Sequence, residues 1–265
     1  MTCLKPYYVN GFGYVPCGQC KVCRKARTRE WALRIMHEVS YWDKSSFITL
    51  TYDDAHLPKD NSLSIREFQL WMKRFRKELE GRKVKYYACG EYGDKYGRPH
   101  YHSIVFGVSQ EDKALIDSTW LKGFSKVGSV TMKSAQYVAG YVQKKFNGDL
   151  KKEVYGDREG PFQLCSRGIG ERWLLDNEKY VIDNSGVTLF GIGYTIPRYY
   201  MKKLDGKLDK YVMEQKKILK VSERLELLRK RGIDELSEAE YGDAQRKQRK
   251  EELLTKESLF RKGVL

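Results

Sequence analysis

Residues 98–107 read RPHYHSIVFG. Along a β-strand, residues two apart share a face, so His100 and His102 aim together while Tyr101 and Ser103 point away. Two imidazoles on one face can ligate a divalent metal, or each can make its own hydrogen bond. The preceding VKYYACGEY (84–92) is also β-forming, and DKYGRP between the two is a turn sequence. Paired as a hairpin, these segments set Glu91 opposite His100 on the same face. A His, His, carboxylate set with open positions suits a cation that polarises a phosphoryl oxygen.

A second group lies in SAQYVAGYVQKKF, residues 134–146, which reads as a helix with Ser134 as N-cap. Tyr137 and Tyr141 are four apart and fall on one stripe, with Lys144 and Lys145 close to it. Val138, Val142 and Phe146 form the neighbouring apolar stripe. A phenol titrates at roughly 10, so as a nucleophile it needs a base, a metal or a cation beside it. The same pattern also suits an aromatic helix face with solvated lysines.

PCGQCKVC supplies Cys17, Cys20 and Cys23, and Cys3 can add a fourth thiolate. With no secretion-type leader in MTCLKPYYVN, the run reads as metal binding before disulfides. Four thiolates suit a structural Zn²⁺, although the C-x13-C-x2-C-x2-C spacing also accommodates free cytosolic thiols. Cys89 and Cys165 read as buried small hydrophobes.

The elements that must position these groups follow from periodicity. Trp31, Ile35 and Val39 predict a helix over about 24–42, and FITLTY (47–52) a strand. Ser64 and Glu67 form a capping-box pattern for a helix that Gly81 ends. Strands at 84–92 and 100–108, a helix near 110–121, the strand FSKVGSV and the tyrosine helix complete the order β-α-β-β-α-β-α. That order predicts an α+β fold, an antiparallel sheet with helices on one face. Four segments are expected: a Cys-rich region with a basic helix (1–45), a core (46–150), a Gly- and aromatic-rich extension (151–204) and a charged helical tail (205–265).

The formal charge is +15 and the isoelectric point near 9.4, which favours a polyanionic partner. Residues 205–265 hold 16 Lys/Arg against 13 Asp/Glu, so most of the excess belongs to residues 1–204. Lys21, Arg24, Lys25, Arg27 and Arg29 form either a DNA-backbone patch or an ordinary solvated face. No apolar run approaches the roughly 20 residues of a membrane span, and a cytoplasmic location is expected.

Taken together, FITLTY, then E-x8-H-Y-H, then Y-x3-Y-x2-K follow the motif order of the HUH endonucleases. Over roughly residues 1–204 the chain resembles the rolling-circle replication initiators of gokushovirus-type Microviridae phages. The resemblance is carried by PCGQCKVCRKARTREWALRIMHE, FITLTYDDAHLP, CGEYGDKYGRPHYHSIVFG, YVAGYVQKK and YTIPRYY. It implies an HUH endonuclease fold over 46–150, with His100, His102 and Glu91 holding Mg²⁺ or Mn²⁺ on a scissile phosphate. Tyr141, which begins the Y-x2-K ending in Lys144, would attack that phosphate, and Tyr137 would be the second nucleophile. The implied partners are single-stranded DNA, a viral origin, and a host helicase or other replication machinery, in the cytoplasm of the bacterial host. Alternatives are a plasmid relaxase, a single-strand transposase, or a non-catalytic zinc-containing DNA-binding protein.

Overall fold

The computed structural model describes residues 3–10, 13–93, 96–141 and 149–204, with a few isolated positions beyond. The chain divides into two compact units, residues 1–26 with 205–265, and residues 27–204. In the first, β1 (Tyr7–Val9) pairs antiparallel with β2 (Gly13–Val15), a ribbon inside a segment that reads as loop. The helix α1 runs Lys21–Val39, somewhat earlier than expected. The charged tail lies almost wholly outside the described residues.

The second unit is built on a sheet. Its elements are β3 (Ser45–Tyr52), α2 (Ile65–Glu78), β4 (Lys85–Tyr92), β5 (Pro99–Phe106), α3 (Lys113–Trp120), β6 (Gly123–Ser129) and α4 (Met132–Gly140). Then come α5 (Asp149–Tyr155), β7 (Phe162–Cys165), α6 (Glu171–Asp176), α7 (Glu178–Asn184), β8 (Val187–Leu189), β9 (Ile192–Tyr194) and α8 (Arg198–Lys203). Five strands form one antiparallel sheet in the order β6-β3-β5-β4-β7. This is the α+β architecture with a central antiparallel sheet and flanking helices.

The helices lie on both faces of that sheet, and the one-face expectation is corrected. Ile48, Leu50, Tyr101 and Val105 pack with Phe68, Trp71 and Phe75 of α2 and Ile116 and Trp120 of α3. The alternate residues Tyr87, Cys89, Ile104 and Phe106 pack with Ala32, Ile35 and Met36 of α1 and Ala135, Val138 and Ala139 of α4. The sign of this lies in SIVF, since a strand covered on both sides carries an unbroken apolar run instead of alternation. Ser64 caps α2 by accepting from the Glu67 amide, as its sequence pattern predicts.

The extension after residue 160 covers the outer side of α1. Arg34 donates through Nε to the Ile169 carbonyl at 3.1 Å, and Gly170 N–H donates to Glu38 Oε2 at 2.7 Å. Gly170 has φ +75°, and a Cβ there would run into the Tyr200 hydroxyl, so the close approach requires glycine. Cys89 is buried as expected, but Cys165, at the end of the edge strand β7, is exposed. Among the described residues no helix is long and apolar enough to cross a membrane.

Candidate active site

The β4–β5 hairpin sets the first half of the site. Gly93 N–H donates to the Arg98 carbonyl at 2.9 Å, and Gly97, with φ +62°, supplies the left-handed turn residue. Arg98 ties this turn to the end of β3 through Asp54 at 2.6 Å and the Tyr52 carbonyl at 3.1 Å. The resulting register pairs Glu91 with His100 across the hairpin and His102 with Thr49 on the other side. Beneath, the Tyr101 hydroxyl bonds to Tyr52 and to both backbone groups of Ser64, which holds β5 in place.

Glu91 Oε1 lies 2.9 Å from His100 Nε2 and 3.0 Å from His102 Nε2. Glu91 and His102 are buried, and His100 is the more open of the three. His100 Nδ1 sits 3.2 Å from the Arg98 carbonyl, which can only accept, so Nδ1 carries the proton. A neutral His100 therefore presents a lone pair at Nε2 to a carboxylate oxygen, and that contact needs a second proton or a cation. His102 Nδ1 is held by Thr49 Oγ1 at 2.9 Å. Outer partners of this kind orient imidazoles for a metal.

Charge points the same way. Burial pushes the Glu91 carboxyl up, but its contacts with His100 and His102 outweigh it and leave it below the ordinary carboxylate range. Burial pulls His102 below the usual imidazole value, against the pull of Glu91. An ionised carboxylate beside a neutral imidazole is the protonation state a divalent cation binds. The donor set therefore fits such an ion, and His100, His102 and Glu91 would hold it.

α4 brings the tyrosines over this cluster. Its N-cap is Thr131 in place of the expected Ser134; Ser134 is the third helical residue and returns the bond to Thr131 N–H at 2.8 Å. Ala135, Val138 and Ala139 bury against the sheet, which turns the tyrosines toward His102. The Tyr137 hydroxyl is 3.4 Å from His102 Nε2, and the Tyr141 ring stacks on that imidazole at 5.7 Å and 16°. Tyr137 is about half exposed, whereas Tyr141 is buried. Burial, the bond with Tyr137 and the Glu91 charge all push the Tyr141 phenol above its ordinary range. Lys144 and Lys145 lie outside the described residues.

Sequence reasoning missed Thr49 and Phe47, whose ring stacks on His102 at 5.5 Å. Their signal was present: in FITLTY, alternation puts Phe47, Thr49 and Thr51 on one face of β3. Of the basic residues, Lys25, Arg27 and Arg29 are exposed and Arg24 is partly buried.

The cysteines gather separately, in the first unit. Ligand atoms of Cys3, Cys17, Cys20 and Cys23 lie within 4.8 Å of one another, with Cys3 Sγ 3.4 Å from Cys17 Sγ and 3.8 Å from Cys20 Sγ. None is in a disulfide. Zn–S bonds of about 2.3 Å in a tetrahedron imply S···S separations of ~3.8 Å, and the Cys3 separations of 3.4 and 3.8 Å lie close to that. Backbone N–H groups of Lys5 and Cys17 donate to Cys3 Sγ, and that of Cys20 to Cys17 Sγ, as suits thiolates. The Cys20 thiol is drawn down to about 6, burial opposing the shift and the backbone amides of Cys23 and Leu4 outweighing it.

With both clusters in view, residues 45–146 match a family model of replication-associated proteins of the ORF2 type. The chain is 31% identical to the replication-associated protein ORF2 of Spiroplasma virus 4, covering 92% of this chain and 84% of that one. The chain belongs to the phage replication-associated proteins. It is also 35% identical to replication-associated protein VP4 of Bdellovibrio phage phiMH2K over 70% of its length, and 30% identical to replication-associated protein ORF4 of Chlamydia phage 1, again over 70%. It spans 65% and 52% of the lengths of those two relatives. No solved structure matches it. Membership in this family directs attention to DNA, and the two donor clusters to metals.

Proposed function

We propose that the protein initiates phage DNA replication as a metal-dependent, site-specific single-strand endonuclease and strand transferase. The observation that carries this reading is that both tyrosines close on one imidazole, Tyr137 by its hydroxyl at 3.4 Å and Tyr141 by its ring, beside Glu91 and His100. When bound, Mg²⁺ or Mn²⁺ would supply Lewis-acid polarisation of the scissile phosphate and cancel the Glu91 charge. His100, His102 and Glu91 would hold that ion against the phosphate. The Tyr141 oxygen bonds to phosphorus while the bond from phosphorus to the 3′ oxygen breaks, and the phenol's proton is passed by solvent to that leaving oxygen. The products are a 5′-phosphotyrosine link and a free 3′-OH. Because one phosphoester replaces another, neither cutting nor resealing requires a nucleotide cofactor. Tyr137, one turn earlier, serves the second transfer, and Lys144 favours the phenolate.

The cysteine cluster holds a structural Zn²⁺ in this reading, supported by its closed four-thiolate donor set. The test of the enzymatic reading is covalent capture of an origin oligonucleotide with Mn²⁺, with the adduct located by mass spectrometry. A peptide carrying the nucleotide on Tyr141 or Tyr137 supports it. Binding without any adduct would favour the non-catalytic DNA-binding alternative. A transfer-origin or hairpin substrate cut in preference to phage origin DNA would favour a relaxase or transposase.

A further inference from the structure

The cysteine unit carries a surface that the cutting chemistry does not use. In the β1–β2 ribbon, Tyr8 pairs directly with Tyr14 across the strands. Both side chains therefore stand on one face, with ring centroids 5.6 Å apart in an edge-to-face arrangement. They are 63% and 77% exposed, among the most exposed aromatic side chains described. Tyr7, on the opposite face, is 56% exposed. A two-stranded ribbon of three-residue strands is too small to hold such a face by its own packing. The cysteines flank it in sequence, Cys3 before β1 and Cys17 after β2, and their sulfurs meet at 3.4 Å, which closes the base of the ribbon.

The unit that carries these rings is basic on balance, residues 205–265 adding 16 Lys/Arg against 13 Asp/Glu. Residues 1–26 contain Lys5, Lys21, Arg24 and Lys25 and no Asp or Glu. Exposed aromatic rings on a positively charged support suit one ligand class above others, a polyanion with unpaired planar bases. A second copy would bring the same net positive charge, and a duplex keeps its base faces stacked inside.

We infer that the β1–β2 ribbon is a single-strand DNA grip in which Tyr8 and Tyr14 stack on bases while basic residues of the same unit neutralise the backbone. The inference rests on the DNA-processing reading of the chain but not on its cutting chemistry. Fluorescence anisotropy of labelled single-strand oligonucleotides, using the full zinc-loaded chain, tests it. Tyr137→Phe and Tyr141→Phe are carried throughout so that strand cleavage does not enter the measurement. Adding Tyr8→Ala and Tyr14→Ala should weaken single-strand binding about tenfold or more, while Tyr8→Phe and Tyr14→Phe retain it. Zinc content and thermal midpoint, measured on the same samples, should not change. Unchanged single-strand affinity in the alanine variant overturns the inference. So does an equal loss for fully paired duplex, or a change in oligomeric state with no change in DNA affinity. Failure of adduct formation in the native chain would strike the cutting chemistry and leave this binding result standing.

Discussion

The ring of Tyr141 lies on the imidazole of His102, 16° from parallel, while Tyr137 reaches the same imidazole through its hydroxyl. One histidine thus serves two tyrosines one helical turn apart. Replacing Tyr141 by Phe preserves the stack and removes only the oxygen. Tyr137→Phe with Tyr141→Phe should therefore leave the melting temperature within about 2 °C, since little packing changes, and abolish the covalent adduct. Tyr137→Phe alone should still form the first adduct but yield no closed circle. A persistent adduct in the double variant, seen on a denaturing gel, would remove both residues from the chemistry.

Glu91 is the buried charge between two imidazoles, and both metal binding and stability should depend on it. Glu91→Gln should weaken Mn²⁺ binding at least about tenfold, the loss that even an outer partner of a ligand costs, and lower stability at pH 7, because the contacts that hold its carboxyl below the ordinary range are lost. Calorimetric titration with Mn²⁺ and thermal melts read the two effects separately. Unaltered Mn²⁺ affinity would show that the carboxylate is not a ligand.

The four cysteines should carry one zinc per chain after purification without added metal, measured by elemental analysis. Cys20→Ser should lower that stoichiometry toward zero and unfold the first unit, because metal binding and folding of such a cluster are coupled. Titration of all four cluster thiols in addition to the exposed Cys165 in the untreated native protein, with no zinc released, would rule the metal out.

His37 is buried against Trp173, ring centroids 3.6 Å apart, and lies 3.0 Å from the Tyr200 hydroxyl and 3.2 Å from the Thr188 carbonyl. The carbonyl can only accept, so Nε2 carries the proton of a neutral ring and Tyr200 donates to Nδ1. Burial pulls its pKa down to about 4, against an opposing contribution from the Thr188 carbonyl. The unfolded chain, titrating near ~6.5, binds this proton first, so the stabilisation is present above ~6.5 and is lost as pH falls toward 4. The loss amounts to roughly 3 kcal/mol at the acid end. Urea unfolding at pH 7 and pH 4 should show His37→Phe losing less stability than the native chain over that interval. Equal losses would mean that His37 titrates normally.

Much of the site was legible because it depends on local repeats. The two-residue spacing of His100 and His102, the four-residue spacing of Tyr137 and Tyr141 and the turn residues before Arg98 all report geometry within one element or one hairpin. The second helical layer was not legible in the element order, because β4 and β5 bury both faces and the covering helices α1 and α4 come from opposite ends of the core. The ribbon of Tyr7–Val9 and Gly13–Val15 was missed because three-residue strands carry too little alternation to stand out in a Gly-rich segment. Cys165 was misjudged because burial at an edge strand depends on what covers the edge.

Residue chemistry and spacing, by themselves, determined the two donor sets, the paired phenols and the basic balance of this protein. Those are properties of short segments, and physics over a few residues sets them. The tertiary structure alone decided that Glu91 Oε1 reaches His102 as well as His100, that Thr49 orients His102 and that α4 lies over the hairpin. The Thr49 and Tyr137 contacts join residues dozens of positions from His102, and burial of β5 between two helical layers brings them within bonding distance.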